Sequence, residues 1–187
     1  ANPELGFEEQ RTSQLVAEKL QEYGVEVHRG LAKTGVVGVI KGKKHSSGRA
    51  VGLRADMDCL PMHETSEVPH KSKVAGRMHA CGHDGHTTML LGAARYLAQT
   101  RKFDGTVNLI FQPAEEGGAG GQVMVQEGLF ERFPCDAIFA MHNMPGIEQG
   151  RLVLREGAAM ASSDYATITL HGRARLLGDR CKDRRGP

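Results

Sequence analysis

Short runs of β-branched and apolar residues alternate along this chain with stretches of helical periodicity, and three of the runs give way to ionisable side chains. Ala50–Leu53 leads to Asp56 and Asp58, Thr106–Phe111 to Glu115 and Glu116, and Ala137–Met141 to His142. Strands that alternate with helices confine a chain to an α/β architecture, here a three-layer sandwich built on a mixed, largely parallel sheet. In open sheets of this kind, ligands bind outside the carboxyl ends of the strands. Three strand ends that each deliver ionisable groups therefore point to one site along one edge.

The helical signals are also readable. Leu15, Val16, Leu20 and Tyr23 recur at helical spacing after the acidic pair Glu8–Glu9, and Gly24 stands where that helix should stop. A second helix is expected from near Asp84 through Leu90, Leu91, Ala94 and Leu97, and a shorter one over Gln122–Leu129. Further strands are expected at Val25–Val27, Val36–Ile40, Leu152–Leu154 and Ala166–Leu170, and Ala137–Met141 reads as a buried strand. The sequence shows no internal repeat and no linker before residue 165.

Composition narrows the function. The 187 residues carry a formal net charge of +2, too small an excess to argue for nucleic acid or an acidic membrane surface as partner. No apolar run approaches the roughly 20 residues needed to span a bilayer. Cys59, Cys81, Cys135 and Cys181 are scattered in dissimilar contexts, which fits a reducing cytoplasm better than a disulfide framework.

The densest polar cluster is Met78-His-Ala-Cys-Gly-His-Asp-Gly-His86. One loop histidine is ordinarily just solvated, but His79, Cys81, His83 and His86 fall within eight positions. Thiolate and imidazole are preferred zinc ligands, and imidazole also suits other transition metals. The Cys-x-His spacing is too tight for a zinc finger, and no second cysteine pair completes one. Glu115–Glu116 follows Gln112-Pro-Ala114 directly after an apolar strand. Neighbouring residues of an extended chain point to opposite sides, so one carboxylate can hold a metal while the other contacts a water and moves its proton. His142 stands at a strand terminus beside Asn143. Asp56 and Asp58 read as an orienter, a ligand or a strand-end turn. Ser162–Ser163 lacks a nucleophile-elbow frame, and Gly117–Gly121 lacks the Lys-Ser/Thr of a phosphate loop.

These residues carry a family resemblance. Arg54-Ala-Asp-Met-Asp-Cys-Leu-Pro61, Met78-His-Ala-Cys-Gly-His-Asp-Gly-His-Thr87, Phe111-Gln-Pro-Ala-Glu-Glu-Gly117 and Met141-His-Asn143 appear in order. They are flanked by Asn2-Pro-Glu-Leu-Gly-Phe7 and Met160-Ala-Ser-Ser-Asp164. Together they resemble the metal-dependent amidohydrolases that include hippurate, N-acyl-amino-acid and indole-acetyl-amino-acid hydrolases, over residues 2 to 173. The resemblance implies a zinc-exopeptidase-like catalytic domain and hydrolysis of the amide bond of a small N-acyl-amino acid. It implies two divalent ions, manganese or zinc with nickel and cobalt as alternatives, bridged by Cys81 and held by His83, Glu116 and His142. Glu115 would be the general base, and Asp56 would orient a ligand. Asp58, His79 and His86 receive no role.

The resemblance also implies a longer protein, with a second, smaller domain after His171-Gly-Arg173 and a further metal-binding histidine beyond it. A catalytic domain is accordingly expected over 1–165 and a stub of the second domain over 166–187. From Ala174 the text is dense in arginine and lacks periodicity, so disorder is expected there, and little turnover is expected of this chain by itself. A homo-oligomer is expected of the full-length form. The alternatives are an inactive metal-binding fragment or pseudoenzyme, and a dipeptidase or deacetylase of the same superfamily.

Overall fold

The computed structural model describes residues 1–158, 160 and 166–169. Five strands form one sheet: β1 (Glu26–Arg29), β2 (Val36–Lys41), β3 (Ala50–Asp56), β4 (Thr106–Gln112) and β5 (Ala137–Ala140), in the order β1-β2-β4-β3-β5. β3 pairs parallel with β4 and with β5, whereas β2 is antiparallel to both β1 and β4. Four of the five strands therefore share one direction, and only β2 runs against them. Four helices flank the sheet: α1 (Gln10–Glu22), α2 (His83–Thr100), α3 (Gly120–Gln126) and α4 (Leu129–Arg132).

The period-2 alternation of the strands separates two cores and so creates the three layers. Val36, Ile40, Leu109 and Phe111 face α1 and α2, packing with Val16, Leu20, Leu90 and Ala94. Val37 and Ile110 face the other way, onto Met124 of α3 and Leu129 of α4. On α1 the buried positions are Ser13, Val16, Ala17 and Leu20, the i, i+3, i+4, i+7 stripe of an amphipathic helix. Leu15 lies off that stripe and is half exposed.

Several expectations need correction. The helix over Gln122–Leu129 is two short ones, because Gly128 adopts φ 87° between them, a conformation that breaks the helix and favours glycine. β5 is not buried. It is one of two edge strands among the described residues, all four of its residues are exposed, and Phe139 is 60% accessible. β3 extends to Asp56, so that carboxylate belongs to the strand itself. Leu152–Leu154 forms no strand, nor do residues 166–169; Leu170 lies outside the described residues. So do Ser162–Ser163, most of the Met160–Asp164 motif and the tail from Ala174. The residues from Ala1 to Gly146 form one compact unit, which holds the sheet and the four helices named above. Among the described residues, no helix is long and apolar enough to cross a membrane.

Candidate metal centre

Because β3, β4 and β5 run parallel, their carboxyl ends coincide, and the segments that leave them meet the start of α2. Asp56 closes β3 and Asp58 follows it, Glu115 and Glu116 come just past β4, and His142 just past β5. The tight turn into α2 depends on Gly82, which adopts φ 92°. A Cβ there would lie 2.2 Å from the Asn143 side-chain amide, so only glycine lets the segment after β5 approach the helix this closely.

His83 is the hub. It is 1% accessible, and its Nδ1 lies 3.1 Å from Asp58 Oδ1. Its Nε2 is buried without a hydrogen-bond partner, 3.8 Å from both Glu115 Oε2 and Glu116 Oε1 and 3.7 Å from Asp56 Oδ2. Among the described residues three sets of potential donor atoms share His83, each set lying within 4.8 Å of one another, and two of them are Cys81, His83 and His142, and His83, Glu115 and Glu116. Cys81 Sγ is 3.4 Å from His142 Nε2, while His142 Nδ1 is engaged by the Asn143 carbonyl at 2.6 Å. Asp56, His83 and His86 form a third such set, fully buried.

The two aspartates divide their labour in a way the sequence does not reveal. Asp58 touches His83 and also accepts the Glu116 backbone N–H at Oδ2, 2.8 Å away. Asp56, expected to orient a ligand, instead accepts from Arg54 Nη1 at 2.7 Å and faces His86 Nδ1 at 2.6 Å. His86 Nε2 in turn accepts the Asn143 backbone N–H at 3.1 Å, which ties this pair to the residue beside His142. The signal for Asp58 was present in its two-residue spacing from Asp56, which puts both on one side of an extended segment.

Burial opposes charge throughout this cluster. By itself it would raise both aspartates, but Arg54 and the histidines outweigh it at Asp56, and His83 with the Glu116 and Glu115 amides outweighs it at Asp58, so both carboxyls fall below their ordinary range. For His83 burial favours the neutral ring, yet the hydrogen bond to Asp58 and the carboxylates around it raise its pKa. Burial, reinforced by Glu116, pushes the Cys81 thiol up to about 11. His79 is lowered by burial, and its Nδ1 has no partner. Cys59 and Cys135 are free thiols, and Cys181 lies outside the described residues.

A thiol, imidazoles and several carboxylates gathered around one unpartnered imidazole nitrogen form a donor set suited to a divalent cation. Comparison with known proteins agrees with that. The profile of peptidase family M20/M25/M40 matches residues 52–177. Hippurate hydrolase of Campylobacter jejuni is 55% identical over 172 residues, covering 92% of this chain and 44% of that protein. N-acetylcysteine deacetylase of Bacillus subtilis is 41% identical over 179 residues, covering 95% and 46%. Among solved structures, the YXEP protein of Bacillus subtilis, described as a dinuclear metal binding peptidase, superposes with a TM-score of 0.73 at 43% identity, covering 78% of this chain and 40% of that one. The chain thus spans less than half the length of these relatives.

Proposed function

This chain belongs to peptidase family M20/M25/M40, and from that premise we propose that it carries the metal-holding part of an enzyme that hydrolyses the amide bond of small N-acyl-amino acids. The observation that carries this reading is the buried, unpartnered Nε2 of His83, faced by Glu115 and Glu116. A buried imidazole nitrogen without a partner costs free energy, and a divalent cation resolves that cost together with the crowding of the carboxylates. The donor set fits such an ion. Cys81, His83, Glu116 and His142 would hold a pair of such ions, manganese or zinc. When bound, these ions supply Lewis acidity, which polarises a carbonyl and brings the pKa of a water towards about 7.

The remaining chemistry falls to the chain. Glu115, 44% accessible at its side chain, faces the open side of the cluster. There it takes the proton of the attacking water, whose oxygen bonds to the acyl carbon. As the carbon–nitrogen bond breaks, Glu115 passes the proton to the leaving amine, yielding a carboxylic acid and a free amino acid. Asp58 holds His83 with its Nδ1–H directed backwards and its Nε2 lone pair forwards. The same carboxylate fixes the Glu116 backbone, so one buried group orients two donors. Hippurate hydrolase and N-acetylcysteine deacetylase, by their names, act on acylated amino compounds, which supports an acyl–amide substrate; relatives named thermostable carboxypeptidase keep a peptide as the second reading. The test pairs metal analysis of the purified chain with a panel of benzoyl-, acetyl- and indole-acetyl-amino acids and dipeptides offered to the full-length protein. Retained divalent metal that is lost in His83→Ala, with release of free amino acid from the panel, is expected. Equal metal in parent and variant would sink the reading, and cleavage of dipeptides alone would move the substrate class to peptides.

A further inference from the structure

The acidic pair at the start of α1 does something a helix start does not require. Glu9 occupies the N-cap position, where a side chain normally accepts backbone N–H groups of the first turn, yet it makes no such bond. That task falls to Glu4, whose carboxylate accepts Arg11 N at 3.0 Å and Thr12 N at 2.8 Å. Glu9 turns inward instead and is 0% accessible. Its Oε2 accepts the Thr34 hydroxyl at 2.6 Å, and its Oε1 accepts the backbone N–H of Ala114 at 2.8 Å, across 105 positions of sequence.

Ala114 is a strained residue in a consequential place. It precedes Glu115, is fully buried, and adopts φ 49°, a left-handed conformation uncommon for a residue with a side chain. Its Cβ fills the space left by two glycines. A Cβ on Gly6 would come within 2.9 Å of it, and one on Gly118 within 2.6 Å. Two residues further on, Glu116 N is held by Asp58 at 2.8 Å. The backbone N–H groups of the two residues that flank Glu115 are thus each held by a buried carboxylate, one from the segment before α1 and one from just past β3.

We propose that Glu9 is a positioning residue of the metal centre: by holding Ala114 in its left-handed conformation it sets the backbone from which Glu115 and Glu116 reach the site. This rests on the reading of Glu116 as a metal ligand. The position of the acceptor oxygen, rather than its charge, does the work. Glutamine can present an oxygen to Ala114 and its amide to Thr34, whereas aspartate keeps the charge but falls one methylene short.

The experiment measures cobalt affinity of the 187-residue chain and of five variants: Glu9→Gln, Glu9→Asp, Glu9→Ala, Thr34→Val and Glu116→Ala. Circular dichroism and thermal melting report folding. Glu9→Gln is expected within about threefold of the parent, and Glu9→Asp and Glu9→Ala weaker by roughly tenfold or more, the scale seen when a group orienting a ligand is removed. Thr34→Val loses the other buried bond of Glu9 and should melt earlier while binding cobalt like the parent. Should Glu9→Ala fail to fold, the order of the glutamine and aspartate variants still decides. Parent-like affinity in Glu9→Asp, or an equal loss in Thr34→Val, overturns the proposal. If Glu116→Ala weakens binding while the Glu9 variants do not, the role of Glu9 alone fails. If Glu116→Ala itself binds like the parent, the reading of the ligand set fails, and this inference with it.

Discussion

Asp58 and His83 face each other in the dry interior, with Oδ1 3.1 Å from Nδ1 and neither residue more than 1% accessible. The contact fixes which ring nitrogen carries the proton, because a carboxylate below its ordinary pKa can only accept. Nε2 is thereby the ring nitrogen turned towards the two glutamates.

Asp58→Asn should therefore weaken metal binding by about 10- to 100-fold. An asparagine that turns its oxygen to His83 sets its NH₂ against the Glu116 N–H, donor facing donor. One that turns the other way loses His83. Titration with cobalt or manganese measures this, and parent-like affinity would remove Asp58 from the account.

Glu115 and Glu116 should separate cleanly on substitution. In the full-length protein, Glu115→Gln keeps size and hydrogen bonding but removes the base. The turnover number should fall by about 10²–10⁴ with metal content retained. Glu116→Gln should lose metal as well as activity. Metal analysis beside kcat decides the pair, and loss of metal in the Glu115 variant would reverse the two roles.

Much of this site could be read from the chain. Ala50–Leu53 and Thr106–Phe111 announce strands by their β-branched content, and parallel strands bring their carboxyl ends together, which is why the sequence itself points Asp56, Glu115 and His142 to one edge. The assignments that failed to appear depend on partners far away in sequence. Asp56 and Asp58 diverge because Asp56 meets His86, 30 positions on, as well as the nearby Arg54, whereas Asp58 meets His83, 25 positions on. Glu9 reads as an ordinary acidic helix start, since its bond to Ala114 spans 105 positions. β5 reads as buried because Ala137–Ala140 is apolar throughout, but composition does not tell an edge strand from a central one.

Cys81 gives a spectroscopic test. Its sulfur lies 3.4 Å from His142 Nε2, and among the described residues it is the one thiol in the three groups of potential donors that share His83. Cobalt added to the chain should produce a thiolate-to-metal charge-transfer absorption, and Cys81→Ser should abolish it while Cys135→Ser leaves it unchanged. Persistence of the band in Cys81→Ser would assign the thiolate elsewhere.

The last expectation concerns His86, a residue without a sequence-derived role. It is 3% accessible and bridges two elements: Nδ1 meets Asp56 Oδ1 at 2.6 Å, and Nε2 accepts the Asn143 N–H at 3.1 Å. Its ring centroid is 4.5 Å from that of His142. Nε2 also meets the Asn143 side-chain oxygen, so the chain of bonds runs from β3 through α2 to the corner that carries His142. Removing the ring leaves an Asp56 oxygen and the Asn143 amide without partners. His86→Ala should destabilise the fold by about 1–3 kcal/mol, the cost of buried polar groups left unpaired. It should also release the His142 corner and weaken cobalt binding by roughly tenfold. Leu109→Ala supplies the contrast: it opens the fully buried core between the sheet and the first two helices, costs about 2–5 kcal/mol, and touches none of the site residues. Chemical denaturation and cobalt titration of both variants check the argument. If the two lose stability but the histidine variant binds cobalt as tightly as the leucine variant, His86 is a packing residue and the corner is held by Cys81 and Gly82 without it.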